Sequence, residues 1–157
     1  MEKETLLEEF GRIEKFYGKD KFVMNQEIYE LWYELISDYR EDVFHESVNR
    51  YIQNNVYPPN LAGILQYYNE IVNLHDERMK KITSNCRRTA SVWGEKLTNE
   101  TFHAWMEYVK QFPLEEVTTK SQKLADKAYD YYYDCICKGE EIPPLKEYIG
   151  RWMQKDN

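Results

Sequence analysis

The chain has 157 residues, a formal net charge of -7 and 42% hydrophobic residues, which is enough apolar material to bury a core. No apolar run approaches the roughly 20 residues needed to cross a bilayer, and Met1-Glu2-Lys3-Glu4 lacks the apolar stretch of a signal peptide. These features exclude a disordered or membrane-embedded chain and predict a cytoplasmic protein.

Nearly every segment repeats its apolar residues at helical spacing, and none alternates as a half-buried strand must, so we predict an all-α fold. The first helix should end at Gly18, and the second should be capped by Asn25. The apolar face of the first helix comprises Leu6, Phe10, Ile13 and Tyr17. That of the second comprises Ile28, Leu31, Trp32, Leu35 and Ile36.

A third helix is predicted to open with a capping box at Asp38 and Glu41 and to close before Pro58-Pro59. From Leu61 the apolar ladder runs on to Leu97, longer than a usual globular helix. We therefore predict one long central helix with a bend or break near Thr83-Ser84-Asn85.

The second half predicts three further helices. The first carries Trp105, and the next should begin with Pro113, where a missing N–H costs nothing, and end at Gly139. A short closing helix should follow Pro143-Pro144, and Asp156 and Asn157 are expected to fray.

Two parts of the chain resemble one another. Trp32 and Trp105 stand 73 residues apart, Pro59 and Pro144 stand 85 apart, and Tyr17-Gly18 pairs with Trp93-Gly94. Of the extra residues in the second spacing, 11 make about three helical turns. An insertion of that length extends a helix without rotating its buried face. We predict two related helical units, residues 1–77 and 78–157, joined by the long central helix.

The residues offer little for catalysis. The chain has three histidines and three cysteines but no spacing typical of a zinc site, and no glycine-rich phosphate loop. Its odd cysteine count favours reduced thiols over a disulfide framework. We expect no enzyme activity, no cofactor and no metal.

Charge and tyrosine content remain as surface features. Residues 1–60 carry a net charge of 7 - 13 = -6. One basic group lies in the central helix, and it is either a solvated face or a surface that contacts phosphate or an acidic partner, which leaves weak nucleic-acid binding possible. Its members are Arg78, Lys80, Lys81, Arg87 and Arg88. The run from Tyr129 to Tyr133 points several ways around its helix, so some rings are either half-buried or anchors for a protein partner.

Residues of about 5–65 resemble the bacteriophage replicative helicase loader and inhibitor family, and residues of about 90–153 repeat the pattern. The resemblance rests on Trp32-Tyr33-Glu34-Leu35 and on Pro58-Pro59 opening a later helix. It implies a small phage DNA-replication protein without ATPase activity that binds a replicative helicase or its loader. Family members are shorter and place much of their helicase contact in a flexible C-terminal tail, where this chain has a second patterned unit.

The resemblance predicts partner contacts by exposed residues near the motif and their second-unit counterparts, together with the tyrosine run. These are Tyr33, Tyr57, Asn60, Met106, Ile142, Leu145, Tyr129, Tyr132 and Tyr133. The alternative function is a phage inhibitor that captures a host defence or regulatory protein through an acidic surface resembling DNA. The sequence leaves the oligomeric state open.

Overall fold

The computed structural model describes residues 1–155, and within them the chain forms seven α-helices and no strand. The helices are α1 Lys3–Tyr17, α2 Gln26–Ile36, α3 Glu41–Asn54, α4 Leu61–Val92, α5 Asn99–Val109, α6 Val117–Lys138 and α7 Leu145–Lys155. The all-α multi-helix bundle with a long central helix is confirmed. Asp156 and Asn157, expected to fray, lie outside the described residues.

The residues gather into two compact units, a first unit of Met1–His75 and a second unit from Asp76 onward. Helix α4 supplies residues 61–75 to the first and 76–92 to the second. The break predicted near Thr83-Ser84-Asn85 is absent, because α4 is helical throughout this stretch. Its polar side chains are satisfied without one: the buried Asn85 amide donates to Ser121 Oγ at 3.3 Å, and Thr89 Oγ1 donates to the Asn85 carbonyl at 2.9 Å.

The first unit packs α1, α2, α3 and the start of α4 around an aromatic core. Phe10 meets Trp32 edge-on, with ring centroids 5.0 Å apart and planes at 76°, a favoured aromatic geometry. The buried residues of the first unit's core cluster are Leu6, Phe10, Ile13, Tyr17, Phe22, Tyr29, Trp32, Ile36, Phe44, Val48 and Ile64. The side chain of Tyr17 fastens the end of α1 to the segment after α3, since its hydroxyl donates to the Asn55 carbonyl at 2.8 Å.

Two local features of this unit follow from backbone chemistry. Gly18 ends α1 at φ 93°, a conformation that residues with a Cβ avoid. Gly63 lets α4 lie against α3, because a Cβ there would stand 2.7 Å from the Tyr51 ring. The predicted capping box at Asp38 and Glu41 is wrong, since α3 begins at Glu41 after Arg40 and no side chain caps it.

The second unit packs α5 against α6 and α7, with residues of α4 completing the core. Trp105 is fully buried and its indole N–H donates to Ser121 Oγ at 3.1 Å. The buried residues of the second unit's core cluster are Ile82, Cys86, Ala90, Trp93, Trp105, Tyr108, Val109, Val117, Leu124, Ala125, Ala128, Leu145, Tyr148 and Ile149. Pro113 does not begin a helix as predicted: it opens a turn in which its carbonyl accepts from Glu116 N at 2.9 Å, and α6 starts at Val117.

Candidate protein-interaction surface

The predicted partner residues of the first unit differ in their freedom to make new contacts. Tyr57 is 80% exposed in the link between α3 and α4. Tyr33 is half-buried and stacks on Tyr29, with the two ring centroids 6.5 Å apart. The Lys3 ammonium lies 5.1 Å from the Tyr33 ring centroid. Asn60 is exposed but has a structural role as well, because its Oδ1 accepts a hydrogen bond from Gly63 N in the first turn of α4 at 2.8 Å.

Their counterparts in the second unit are less accessible. Met106 and Ile142 are half-buried, and Leu145 is fully buried. The expectation that Leu145 is an exposed contact is therefore wrong. It opens α7 with its side chain in the core, while its backbone N–H donates to Glu95 Oε1 at 3.2 Å.

The tyrosine run of α6 is divided between core and surface. Tyr133 is 57% exposed, whereas Tyr132 is half-buried, its ring centroid 5.4 Å from that of Trp93. Tyr129 is half-buried and engages Arg88, whose Nε donates to the Tyr129 hydroxyl at 2.6 Å. Tyr133 is thus the most accessible anchor of the run.

The basic residues of α4 spread around its outer side rather than converging on one point. At about 100° per residue, Lys80 and Arg87 share one side, while Lys81 and Arg88 lie about a quarter turn further round. A shallow cavity of about 480 Å³ touches only two of the five. Its lining residues are Asp76, Met79, Lys80, Thr83, Ser84 and Arg87. No cluster of the basic side chains forms a phosphate site among the described residues.

One apolar surface of the first unit consists of residues that the sequence analysis placed in the core. Ile28, Leu31 and Leu35, here called the α2 stripe, are 36%, 55% and 56% exposed. The buried face of α2 is instead Tyr29, Trp32 and Ile36, about 100° further round the helix. Both sets have i, i+3, i+7 spacing, so periodicity alone does not say which one packs inward.

Carboxylates flank the α2 stripe on the side away from Trp32. Glu27, Glu30 and Glu34 are all exposed, and Glu30 accepts a hydrogen bond from Gln26 Nε2 at 2.7 Å. Neither Glu27 nor Glu34 forms an ion pair within residues 1–155. An apolar stripe bordered by unpaired acids is chemically suited to a partner that carries apolar side chains beside lysine or arginine.

Comparison with known proteins bears on this same unit. The family model for the N-terminal domain of a phage helicase loader and inhibitor protein matches residues 1–65, and it supports the resemblance to that family over this part of the chain. No curated protein and no solved structure matches the chain. In the described part of the chain, no helix is both long and apolar enough to span a membrane, and no group of three or more potential ligand residues is placed to hold a metal ion.

Proposed function

We propose that this protein is a phage DNA-replication accessory protein that binds a replicative helicase or its loader, and that loads or inhibits the helicase without catalysis in the host cytoplasm. The family match to residues 1–65 carries the proposal. The matched residues make up most of the first unit and include the α2 stripe. A binding surface of this kind works through buried area and charge complementarity.

The second unit is proposed to be a related copy of the first. Helices α2 and α5 have 11 residues each, and each begins after a side-chain cap, Asn25 or Thr98, that accepts from the N–H three residues on. The residues before Gly18 and Gly94 also have matching roles. Tyr17 donates to the Asn55 carbonyl and Trp93 to the Pro143 carbonyl, each in the segment before its unit's last helix.

Within the first unit, Tyr57 and Tyr33 are the proposed aromatic contacts, and Asn60 is the proposed polar contact. Tyrosine buries a large ring area at low entropy cost, which suits it to anchor an interface. The second unit offers Tyr133 first and the half-buried Met106, Ile142, Tyr129 and Tyr132 after it, for the same partner or a different one.

The test is capture of a purified replicative helicase by the whole chain, followed by measurement of helicase ATPase and unwinding rates. We expect co-elution and a changed rate, with Tyr57→Ala weakening capture by about tenfold. Leu114→Ala is a matched control, because Leu114 is 58% exposed but belongs to the second unit. Absence of binding to the helicase and to its loader, with and without nucleotide, would contradict the proposal.

The acidic first unit supports a second candidate function, capture of a DNA-binding host protein by an acidic surface. Residues 1–60 carry a net charge of 7 - 13 = -6, and the carboxylates of α2 are exposed. Salt separates the two candidates. A DNA-like contact should weaken steeply between low and moderate ionic strength, while an interface held by tyrosine and leucine should change little.

A further inference from the structure

The α2 stripe is an aligned apolar surface. Single exposed leucines are ordinary on protein surfaces, but Leu31 and Leu35 are more than half exposed and lie one turn apart with Ile28 on the same side. No described element of the first unit covers them. An uncovered face of this shape, about two turns long, matches the length of a docked amphipathic helix.

The second unit contains a covered version of the same face. Counting 73 residues on from the α2 stripe gives Thr101, Ala104 and Tyr108, of which Thr101 is 4% and Tyr108 3% exposed. Helix α7 packs on α5 there, and the Trp152 ring meets the Tyr108 ring edge-on at 6.5 Å. The cover is therefore an amphipathic helix with an aromatic side chain over the last position of the stripe.

Charge pairs accompany that cover. Glu100 occupies the α5 position that Glu27 holds in α2, and Lys146 Nζ of α7 lies 2.6 Å from Glu100 Oε2. In the first unit the helix in the same chain position, α4, contacts the segment that follows α2. The Tyr68 and Tyr39 ring centroids lie 4.6 Å apart, and the Tyr68 hydroxyl accepts from Arg40 N at 3.0 Å. This placement leaves the α2 stripe exposed and Glu27 without a cation.

We infer that the α2 stripe binds an amphipathic helix of a partner protein, with a lysine or arginine beside Glu27 and apolar residues at three- and four-residue spacing over Ile28, Leu31 and Leu35. The inference rests on the proposed function for the partner's identity, a helicase or its loader, and on the proposed relation between the two units for the comparison with α7 on α5. The chemistry of the docked segment follows from α7 on α5 and from the exposed carboxylates.

A peptide of the sequence 141–155 is a probe with this chemistry, since it carries Lys146, Ile149 and Trp152. Its fluorescein conjugate, titrated with the whole chain and followed by anisotropy, should bind saturably. We expect Leu31→Ser/Leu35→Ser to weaken binding by about tenfold or more, and Leu114→Ser, at a similarly exposed leucine, to leave it unchanged.

A charge exchange tests orientation without removing apolar area. Glu27→Lys should weaken binding of the 141–155 peptide and strengthen binding of a peptide that carries Lys146→Glu. Both changes act on the same charge pair, between position 27 of the chain and position 146 of the peptide. Circular dichroism of each variant should match the parent, since the substituted side chains are exposed. No saturable binding, or binding insensitive to Leu31→Ser/Leu35→Ser, would overturn the inference.

Two further outcomes separate this inference from the proposed function. Helicase capture that persists in Leu31→Ser/Leu35→Ser refutes the docking site but leaves the function standing. Stripe-dependent peptide binding without helicase or loader capture supports the site and refutes the function. A concentration-dependent dimer that Leu31→Ser/Leu35→Ser abolishes would assign the surface to a second copy of this chain and refute the partner helix.

Discussion

The two units join their first and third helices by different polar chemistry. In the first, the Glu9 carboxylate is 3% exposed and lies 2.6 Å from His45 Nδ1 and 2.5 Å from Arg12 Nη1. In the second, the positions 76 residues further on are Asn85 and Ser121, a neutral amide and a hydroxyl 3.3 Å apart.

The charged and the neutral arrangement differ in how deeply their polar groups can be buried. Glu9 is paired with side chains that remain 38% and 52% exposed, so its charge stays close to water. The neutral pair needs no such access, because an amide and a hydroxyl that satisfy each other cost little to bury. Ser121 can therefore be fully buried and also accept the Trp105 N–H.

Among changes to the neutral arrangement, Trp105→Ala should lower the free energy of unfolding most. It removes the largest fully buried side chain and leaves Ser121 with one partner fewer, so the free energy of unfolding should fall by about 3–5 kcal/mol. Trp32→Ala is the matched change in the first unit. It should cost less, because Trp32 retains 7% exposure whereas Trp105 retains none.

Urea unfolding measures both variants, and hydrogen exchange of residues 1–75 and 76–155 locates the loss. Leu114→Ala, at an exposed position, should stay within about 0.5 kcal/mol of the parent. A larger loss in Trp32→Ala than in Trp105→Ala would contradict this comparison of the two environments.

Replacing the acid tests the charged arrangement. Glu9→Ala should destabilise the chain by about 1–3 kcal/mol, because it leaves Arg12 and His45 without their shared carboxylate. The cost should shrink between low and high salt, which screens the Arg12–Glu9 ion pair. Asn85→Ala, measured by the same urea titrations, should have a cost that salt leaves unchanged. Equal salt dependence in the two variants would remove the distinction.

The sequence predicted much of the helical framework of both units because its signals are local. Asn25 accepts from the Ile28 N–H at 2.9 Å as a helix cap should, and Gly18 and Gly139 end their helices in positive-φ conformations. Such features depend on a few neighbouring residues, so one sequence suffices to identify them.

The orientation of α2 could not be predicted in the same way. Both of its apolar rows satisfy helical periodicity, and the choice between them depends on where Phe10 of α1 meets Trp32 and Tyr29. The prediction that Leu145 is exposed was wrong for a related reason. Whether the residue after a double proline points inward depends on the packing of α7 against α5. Tertiary contacts of this kind carry no local signal.

A smaller expected effect concerns the hydrogen bond that Tyr17 makes at the end of α1. Tyr17→Phe deletes only the hydroxyl that donates to the Asn55 carbonyl, so stability should fall by about 0.5–1.5 kcal/mol by thermal or urea unfolding. Tyr57→Phe removes a hydroxyl from a side chain that is 80% exposed and should change stability little. An equal loss in both variants would show that the Tyr17 bond is unimportant.

A last difference concerns what the two first helices bury next to their polar residue. The position 76 residues after Phe10 of α1 is Cys86 in α4, and burial raises the pKa of the Cys86 thiol to about 12 from an ordinary value of 9.0. The unfolded chain therefore loses this proton first as pH rises. The stability contributed by the protonated thiol is complete below pH 9 and declines as pH rises towards about 12. At neutral pH this thiol gives the stability no pH dependence, and no such dependence can arise from Phe10 at any pH.

Cys86→Ala isolates this contribution from the tyrosines that also titrate in alkali. The stability difference between the parent and Cys86→Ala should be constant to pH 9 and narrow above it in urea titrations. Reactivity gives a second reading: an aromatic disulfide reagent at pH 8 should modify the exposed Cys137 rapidly and spare Cys86 in the folded chain. A thiol that is protonated and buried cannot attack the reagent. Rapid modification of Cys86 under native conditions would therefore show that the core of the second unit opens more readily than the complete burial of Cys86 and Trp105 implies.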